Sequence, residues 1–387
     1  SSDVCSSDFY APAAGKIQAG ASVKRFTARY DTASPLGSDS PYFPVADANP
    51  FTIDHRITSI LFGAYAQATR AVAPRLNATI GVRFDRFDYI AASRFTPRMG
   101  VDYTATPRVS FTASYGRYVQ QPSFLFLAAY PENRSLEPFG ADHYVAGVAY
   151  APGTATRVTL EVYRKTYRDY PVSTQIPSLS LANVGDTFAV RDVLFPMISA
   201  GRGVAQGVEL FAERKAGTGR WHGQANLALS RARYAGSDGV LRPGSFDAPV
   251  VANLTGGYRL TPRWDVSMRL AYLAGRPFTP FDLDRSTAQR RGVYDLARVN
   301  ADRLPDYFRA DLRFDLRVRA GEKPITVFGG VQNATNRRNV AGYSWDRRGN
   351  RVRVLEQLGI FPVIGLRSEE HTSELQSRFG ISYAVFC

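Results

Sequence analysis

The clearest regularity in the chain is a two-residue alternation sustained over about ten to fourteen positions. In YFRADLRFDLRVR, an extended strand puts Phe308, Ala310, Leu312, Phe314, Leu316 and Val318 on one face, with Arg309, Asp311, Arg313, Asp315, Arg317 and Arg319 on the other. RWDVSMRLAY repeats it, with Trp264, Val266, Met268, Leu270 and Tyr272 opposed to Arg263, Asp265, Ser267 and Arg269. In RVSFTASY, Val109, Phe111, Ala113 and Tyr115 oppose Ser110, Thr112 and Ser114. Such runs exceed the roughly five or six residues of a usual soluble strand.

The runs come in pairs joined by short turns at Pro74, Pro107, Pro152-Gly153, Gly217-Thr218-Gly219, Pro262 and Gly321 to Pro324. Long polar connections separate the pairs, near 31–55, 120–142, 169–203, 235–248, 275–306 and 337–350, with a shorter one near Tyr89 to Phe95. The pattern predicts about fourteen strands: 16–30, 56–71, 76–89, 95–105, 108–119, 143–152, 155–168, 204–216, 220–234, 249–260, 263–274, 307–319, 325–336 and 353–366. Short turns at one end, long loops at the other, and alternating strands of about ten residues are the signature of an all-β transmembrane antiparallel barrel. Lipid is the reason: backbone polar groups in a bilayer must pair within the protein. A soluble sandwich has shorter strands and loops at both ends, and a propeller repeats a blade of roughly 40 residues that is not found here.

Composition narrows this further. The 387 residues carry a formal charge of +14, with 44% hydrophobic and 12% aromatic side chains and 32 glycines. That is too aromatic and too weakly charged for general disorder. No run approaches the roughly 18 apolar residues of a spanning helix. The two cysteines, Cys5 and Cys387, lie almost at the termini, so neither a disulfide framework nor a Cys-based metal site is expected. The inner face of 307–319 carries too much charge for a dry packed lumen, and suits a wide one filled by water or a polar plug.

Both ends depart from the pattern. RSEEHTSELQSRFGISYAVFC, Arg367 to Cys387, resembles the translation of a sequencing-library adapter, and SSDVCSSD, Ser1 to Asp8, its reverse complement. The expected division is therefore 1–8 as artefact, 9–366 as barrel and 367–387 as artefact. Residues 9–366 then carry +17, from 46 basic and 29 acidic side chains, and no cysteine.

Within that span, FTPRMGVDYTATPRVSFTASYGRYVQQPSF (Phe95 to Phe124) resembles the mid-barrel region of TonB-dependent outer-membrane receptors. SLEPFGADHYVAGVAY (Ser135 to Tyr150), GVELFAERKAGTGRWHGQANLALSRARY (Gly207 to Tyr234) and ITVFGGVQNATNRRNVAGYSWD (Ile325 to Asp346) continue the resemblance. Its most distinctive element is Gln332-Asn333-Ala334-Thr335-Asn336. The resemblance implies the C-terminal part of a barrel, about 14 of an expected ~22 strands, with the N-terminal plug domain and energy-coupling box absent. LGIFPVIGLR (Leu358 to Arg367) meets the adapter just before the terminal aromatic residue of the family. As written, the polypeptide is expected to be an open sheet with two unpaired edges that does not insert alone.

The resemblance further implies a Gram-negative outer membrane and energy-coupled uptake of a scarce ligand, a ferric siderophore, cobalamin or a saccharide. The implied partners are membrane lipid, the chain's own plug, the TonB energy-transducing complex acting through the N-terminal part, and a small extracellular ligand. A passive porin-like channel and a barrel lipase or protease are the alternatives.

Candidate ligand residues sit in the aromatic connection YVQQPSFLFLAAYPENR: Tyr118, Gln120, Gln121, Phe124, Phe126, Tyr130 and Arg134. Rigid aromatics beside a few polar groups suit recognition at the extracellular mouth, and equally a loop folded onto the rim or plug. Tyr167, Arg168, Tyr170, Phe278, Phe281, Tyr343 and Trp345 are further mouth candidates, or members of an interfacial aromatic girdle. The row Arg309, Asp311, Arg313, Asp315 and Arg317 is expected to be a plug-facing lumen wall, or else a water-lined one with self-paired charges.

The basic excess is almost all arginine, spread over lumen faces and loops rather than clustered as for nucleic acid. Near the mouth, guanidinium forks suit oxyanions, on the ligand or on outer-leaflet phosphates. No catalytic site, cofactor or metal is expected: His55, His143 and His222 are scattered, and no phosphate-cradling loop of the Gly-x-x-x-x-Gly-Lys type exists. Asn-x-Ser/Thr matches at Asn77, Asn133, Asn253 and Asn333 read as chance.

Overall fold

The computed structural model describes residues 2–10, 15–34, 42, 51–184, 195–217, 219–320 and 323–368. Thr218, residues 321–322 of a predicted turn, parts of two predicted loops and everything from Glu369 lie outside that set.

The long alternating runs form the strands β1 (Ser2–Tyr10), β2 (Gly15–Ser34), β3 (Phe51–Ala73), β4 (Leu76–Phe87), β5 (Ala92–Thr106), β6 (Val109–Gln120), β7 (Phe139–Tyr150), β8 (Thr156–Ser173), β9 (Met197–Arg214) and β10 (Trp221–Ala235). The chain continues through β11 (Leu241–Pro243), β12 (Val250–Arg259), β13 (Trp264–Leu273), β14 (Pro277–Phe278), β15 (Asp302–Arg303), β16 (Tyr307–Ala320), β17 (Lys323–Gln332), β18 (Val340–Asp346), β19 (Arg351–Glu356) and β20 (Phe361–Ser368). Two short helices, α1 (Phe124–Ala129) and α2 (Leu283–Gln289), lie in connections. One sheet runs β1 to β10 in sequence, then β12, β13, β16, β17 and β20, with β11 appended to β10. Neighbours in it are antiparallel. Among the described residues its two ends, β1 and β20, are not paired with each other.

Register carries the single-strand alternation across the sheet. Met268 lies opposite Leu312, and Leu312 opposite Val331, while Arg269 faces Asp311 and Ser267 faces Arg313. One surface is therefore apolar over many strands and the other polar, which a one-residue slip would reverse. The apolar surface is open: Ile80 is 67% exposed, Phe95 70% and Ile364 85%. An apolar surface so extensive on an uncovered sheet face calls for a non-aqueous neighbour. Aromatic pairs mark its borders, Phe84 with Phe95 at 4.8 Å and Tyr115 with Tyr144 at 5.1 Å on the loop side, Trp221 with Tyr258 at 4.5 Å on the turn side. Among the described residues no helix is long and apolar enough to cross a membrane.

The predicted strand at 353–366 is two elements. Residues 351–356 pair with β18 in a hairpin of their own, and only β20 joins the main sheet, beside β17. Alternation over Arg351 to Glu356 misled here because it marks only an extended segment, and the partner of that segment is β18 rather than β17. The predicted loop 337–350 accordingly holds a strand, β18.

The main buried apolar cluster lies under the loops. Leu127, Leu136, Leu179, Val184, Phe195, Met197, Val299 and Tyr42 meet there, drawn from connections far apart in sequence. With one strand face apolar and open and the other polar, the loops supply the residues that bury one another.

Candidate functional site

The polar surface of the sheet is lined by ion pairs built on a repeated spacing. Arg83 grips Asp85 through both carboxylate oxygens, with the closest contact 2.5 Å. Arg309 reaches Asp311 at 2.6 Å and Arg313 reaches Asp315 at 2.7 Å. Side chains two apart on a strand share a face, so each arginine finds its carboxylate on its own strand. Arg313 also lies 4.0 Å over the Phe328 ring, and Arg317 stands 3.9 Å from Asp265. Of the proposed wall row, four charges are thus paired along the strand and the fifth leans across to β13.

At the loop end of this surface is a cavity of about 410 Å³ lined by Tyr30, Arg83, Asp85, Phe87, Gln120, Gln121 and Phe124, among others. Gln121 Oε1 is buried without a hydrogen-bond partner among the described residues. Phe124 packs against Phe26 at 5.6 Å and Tyr89 at 5.7 Å, closing one side.

Three of the seven expected ligand residues, Gln120, Gln121 and Phe124, therefore meet in one cavity. Tyr118 lies deeper on the polar face, its ring over Gly116, where any Cβ would come within 2.8 Å of it. His143 packs on that ring at 4.5 Å and Arg98 at 4.7 Å. Phe126 and Tyr130 instead pack inside the loop cluster, against Leu127, Ile53 and Ala129. Arg134 is exposed and contacts His55 at 3.4 Å, which also bonds the Tyr89 hydroxyl at 3.2 Å. The connection is thus partly cavity wall and partly folded onto the rim.

The other aromatic candidates divide by element. Tyr167 and Tyr170 join Tyr234 and Phe139 in a stack at 4.9 to 6.2 Å. Phe278 packs on Tyr343 at 4.9 Å, and Phe281 on Trp345 at 5.8 Å, pinning the 274–306 connection to the β18–β19 hairpin. Arg168 lies on the apolar side of the sheet, bonded to Asp142. His143 and His222 both lie on the polar face, His222 at 4.0 Å from Asp265. Among the described residues no three His, Cys, Asp or Glu side chains gather as a metal site.

Two features went unread in the sequence. Asn133 is fully buried: its amide donates to the carbonyls of Phe126 and Phe195, and its carbonyl accepts Met197 N–H at 2.7 Å. Arg83 and Asp85 were missed although they share the Arg-x-Asp spacing of β16. A concavity of about 810 Å³ is lined by Ile80, Met99, Val101, Tyr115, Tyr144 and Val162, among others. Those side chains belong to the open apolar face of the sheet, on the side opposite the charged row and the Gln121 cavity.

A model of the TonB dependent receptor-like β-barrel family matches residues 6–334. Comparison with curated proteins gave no match. Among solved structures, the ferric-catecholate import receptor Fiu of E. coli aligns at a TM-score of 0.66 and 12% identity, over 95% of this chain and 54% of Fiu. The ferric enterobactin receptor PfeA of Pseudomonas aeruginosa aligns at 0.65 and 13%, over 95% and 53%. The copper transporter OprC aligns at 0.63 and 15%, over 95% and 56%. The chain spans a little over half the length of each.

Proposed function

This chain belongs to the TonB-dependent receptor-like β-barrel family, and from that premise we propose that it is the membrane-spanning part of a Gram-negative outer-membrane receptor for energy-coupled uptake of a scarce ligand. The observation that carries the reading is the register-locked division of the sheet into an open apolar face and a charged face that ends in a mouth cavity. Only a wall between lipid and a wet lumen needs both. The fold neighbours include receptors for ferric catecholates and a copper transporter, which favours a metal or metal-chelate ligand within the siderophore, cobalamin and saccharide range.

In this reading Gln120, Gln121 and Phe124 contact the ligand, with Tyr118 below them on the path inward. Arg309 to Arg317 face a plug domain carried elsewhere in the receptor, and the TonB complex acts through that part. The ligand is bound, released and passed on without any bond in it being made or broken.

The test is uptake by cells expressing the full-length receptor that contains this segment, offered ferric catecholate, cobalamin and oligosaccharide in turn. One of them is taken up in the wild-type strain, uptake stops when the energy-transducing complex is deleted, and Gln121→Leu weakens ligand binding. Uptake that persists without that complex identifies a passive channel instead.

A further inference from the structure

On the apolar side of β6 to β10, the surface changes character abruptly toward the loop end. Phe111, Ala113 and Tyr115 on β6 give way to Arg117, and Leu227 and Leu229 on β10 give way to Arg231 and Arg233. On β8, Leu160 and Val162 give way to Arg164 and Arg168. Register aligns these changes: Tyr144 lies opposite Arg164, Arg164 opposite Gln206, and Gln206 opposite Arg231. Five arginines thus stand just above the Tyr115–Tyr144 border, with Asp142 and Asp169 as the carboxylates among them.

Asp142 is nearly buried and binds Arg117 at 2.8 Å, Arg168, and the Tyr115 hydroxyl at 2.9 Å. It holds two guanidinium groups side by side, and Asp169 lies 4.0 Å from Arg168, so the excess positive charge of the patch sits on Arg164, Arg231 and Arg233. Arg164 meets Gln206 at 3.4 Å, while Arg231 and Arg233 are exposed. Arginines that face outward at the top of an apolar band can neither line the lumen nor reach a ligand in the mouth. They stand where the headgroups of the outer leaflet begin.

We propose that this patch is a binding site for a phosphorylated glycolipid of the outer leaflet. The Arg117–Asp142–Arg168 group takes one phosphate through paired guanidinium forks. Arg164 and Arg231 take a second anionic group, with the Gln206 amide beside them for a sugar hydroxyl. The proposal rests on the outer-membrane placement given above.

The experiment uses the full-length receptor containing this segment, purified in detergent and titrated with lipid A, dephosphorylated lipid A and phosphatidylglycerol under native mass spectrometry. Wild-type receptor retains lipid A in preference to the other two, and Arg117→Gln/Arg164→Gln/Arg231→Gln lowers retention about tenfold. Arg108→Gln/Arg220→Gln/Arg263→Gln, an equal charge loss in the turns at the opposite end, leaves it unchanged. Should the first variant fail the heat-modifiability test of barrel folding, Arg164→Gln/Arg231→Gln, which spares the Asp142 group, shows the same direction of loss. Equal retention by wild type and variant, equal binding of dephosphorylated lipid A or phosphatidylglycerol, or equal loss in the turn variant overturns the proposal. Membrane fractionation separates the two readings: a receptor absent from the outer membrane refutes the placement, whereas one present there without lipid A selectivity refutes only this site.

Discussion

Asn133 ties three segments of the mouth with one side chain. Its amide bonds carbonyls of α1 and of the segment leading into β9, and its carbonyl takes the first amide of β9. No other side chain of that size offers both donors and an acceptor. Asn133→Ala leaves buried groups unpaired at a cost of about 1–3 kcal/mol each. Limited proteolysis should then cut the 121–138 connection faster while the strands stay protected, and an unchanged cleavage rate would sink this assignment. In sequence Asn133 was only a chance Asn-x-Ser match, and Asn333 was another. Asn333 is also buried, and its amide donates to the carbonyls of Arg337 and Leu358.

Asp306 plays a similar part at the end of the 274–306 connection, outside the spanning strands. Hydrogen bonds from the Tyr272 hydroxyl and then from Gly275 N–H hold its carboxyl below the usual carboxylate range. A depressed folded-state pKa means that the tether is fully present above the unfolded carboxylate value of about 4, and is lost as pH falls through the lower folded value. Hydrogen-exchange protection of the Gly275 amide should therefore drop on acidification below about pH 4 in the wild type. In Asp306→Asn it should start lower and vary little with pH.

At the level of the element, β16 shows how much one strand can determine. From Phe308 to Val318 its apolar face covers eleven residues, roughly 33 Å along the strand and about 25 Å in height at a barrel tilt. That matches the thickness of an outer-membrane apolar band. Phe314→Arg, near the middle of that face, should destabilise the full-length barrel in lipid by about 2–4 kcal/mol, whereas Arg313→Ala on the lumen side should cost much less. Urea titration of vesicle-embedded protein by tryptophan fluorescence measures the difference, and equal costs would contradict the assignment of faces. The Gln332 to Asn336 element that carried much of the resemblance is a turn: Asn333 and Asn336 adopt left-handed backbone, at φ 52° and 53°, which asparagine tolerates better than most residues. Asn333 N–H also donates to Asp311, so the distinctive motif is tied to the charged row of β16.

For the whole molecule, the expected boundaries of the coding sequence bear on the sheet ends. β1 covers Ser2–Tyr10 and pairs along β2, and the family match begins at residue 6, so both cross the expected boundary after Asp8. Pairing with an open edge needs only backbone groups, and almost any extended segment can supply them. We hold to the adapter reading: sequencing of the locus from genomic DNA should show no codons for Ser1–Asp8 or Ser368–Cys387, and recovering them would refute it.

The sequence by itself determined the class of fold, the short-turn strand pairs up to β17 and the faces of β6, β13 and β16, because a two-residue period and short turns are local properties written into consecutive residues. It determined for the same reason that Arg309, Asp311, Arg313, Asp315 and Arg317 share one face of β16. The split between β19 and β20, the cavity of Gln120, Gln121 and Phe124, the Asn133 tie and the arginine patch of β6 to β10 were decided only by tertiary structure. Each depends on which residues of distant segments come into register, and antiparallel pairing sets that through hydrogen bonds between strands, which no window along a single strand contains.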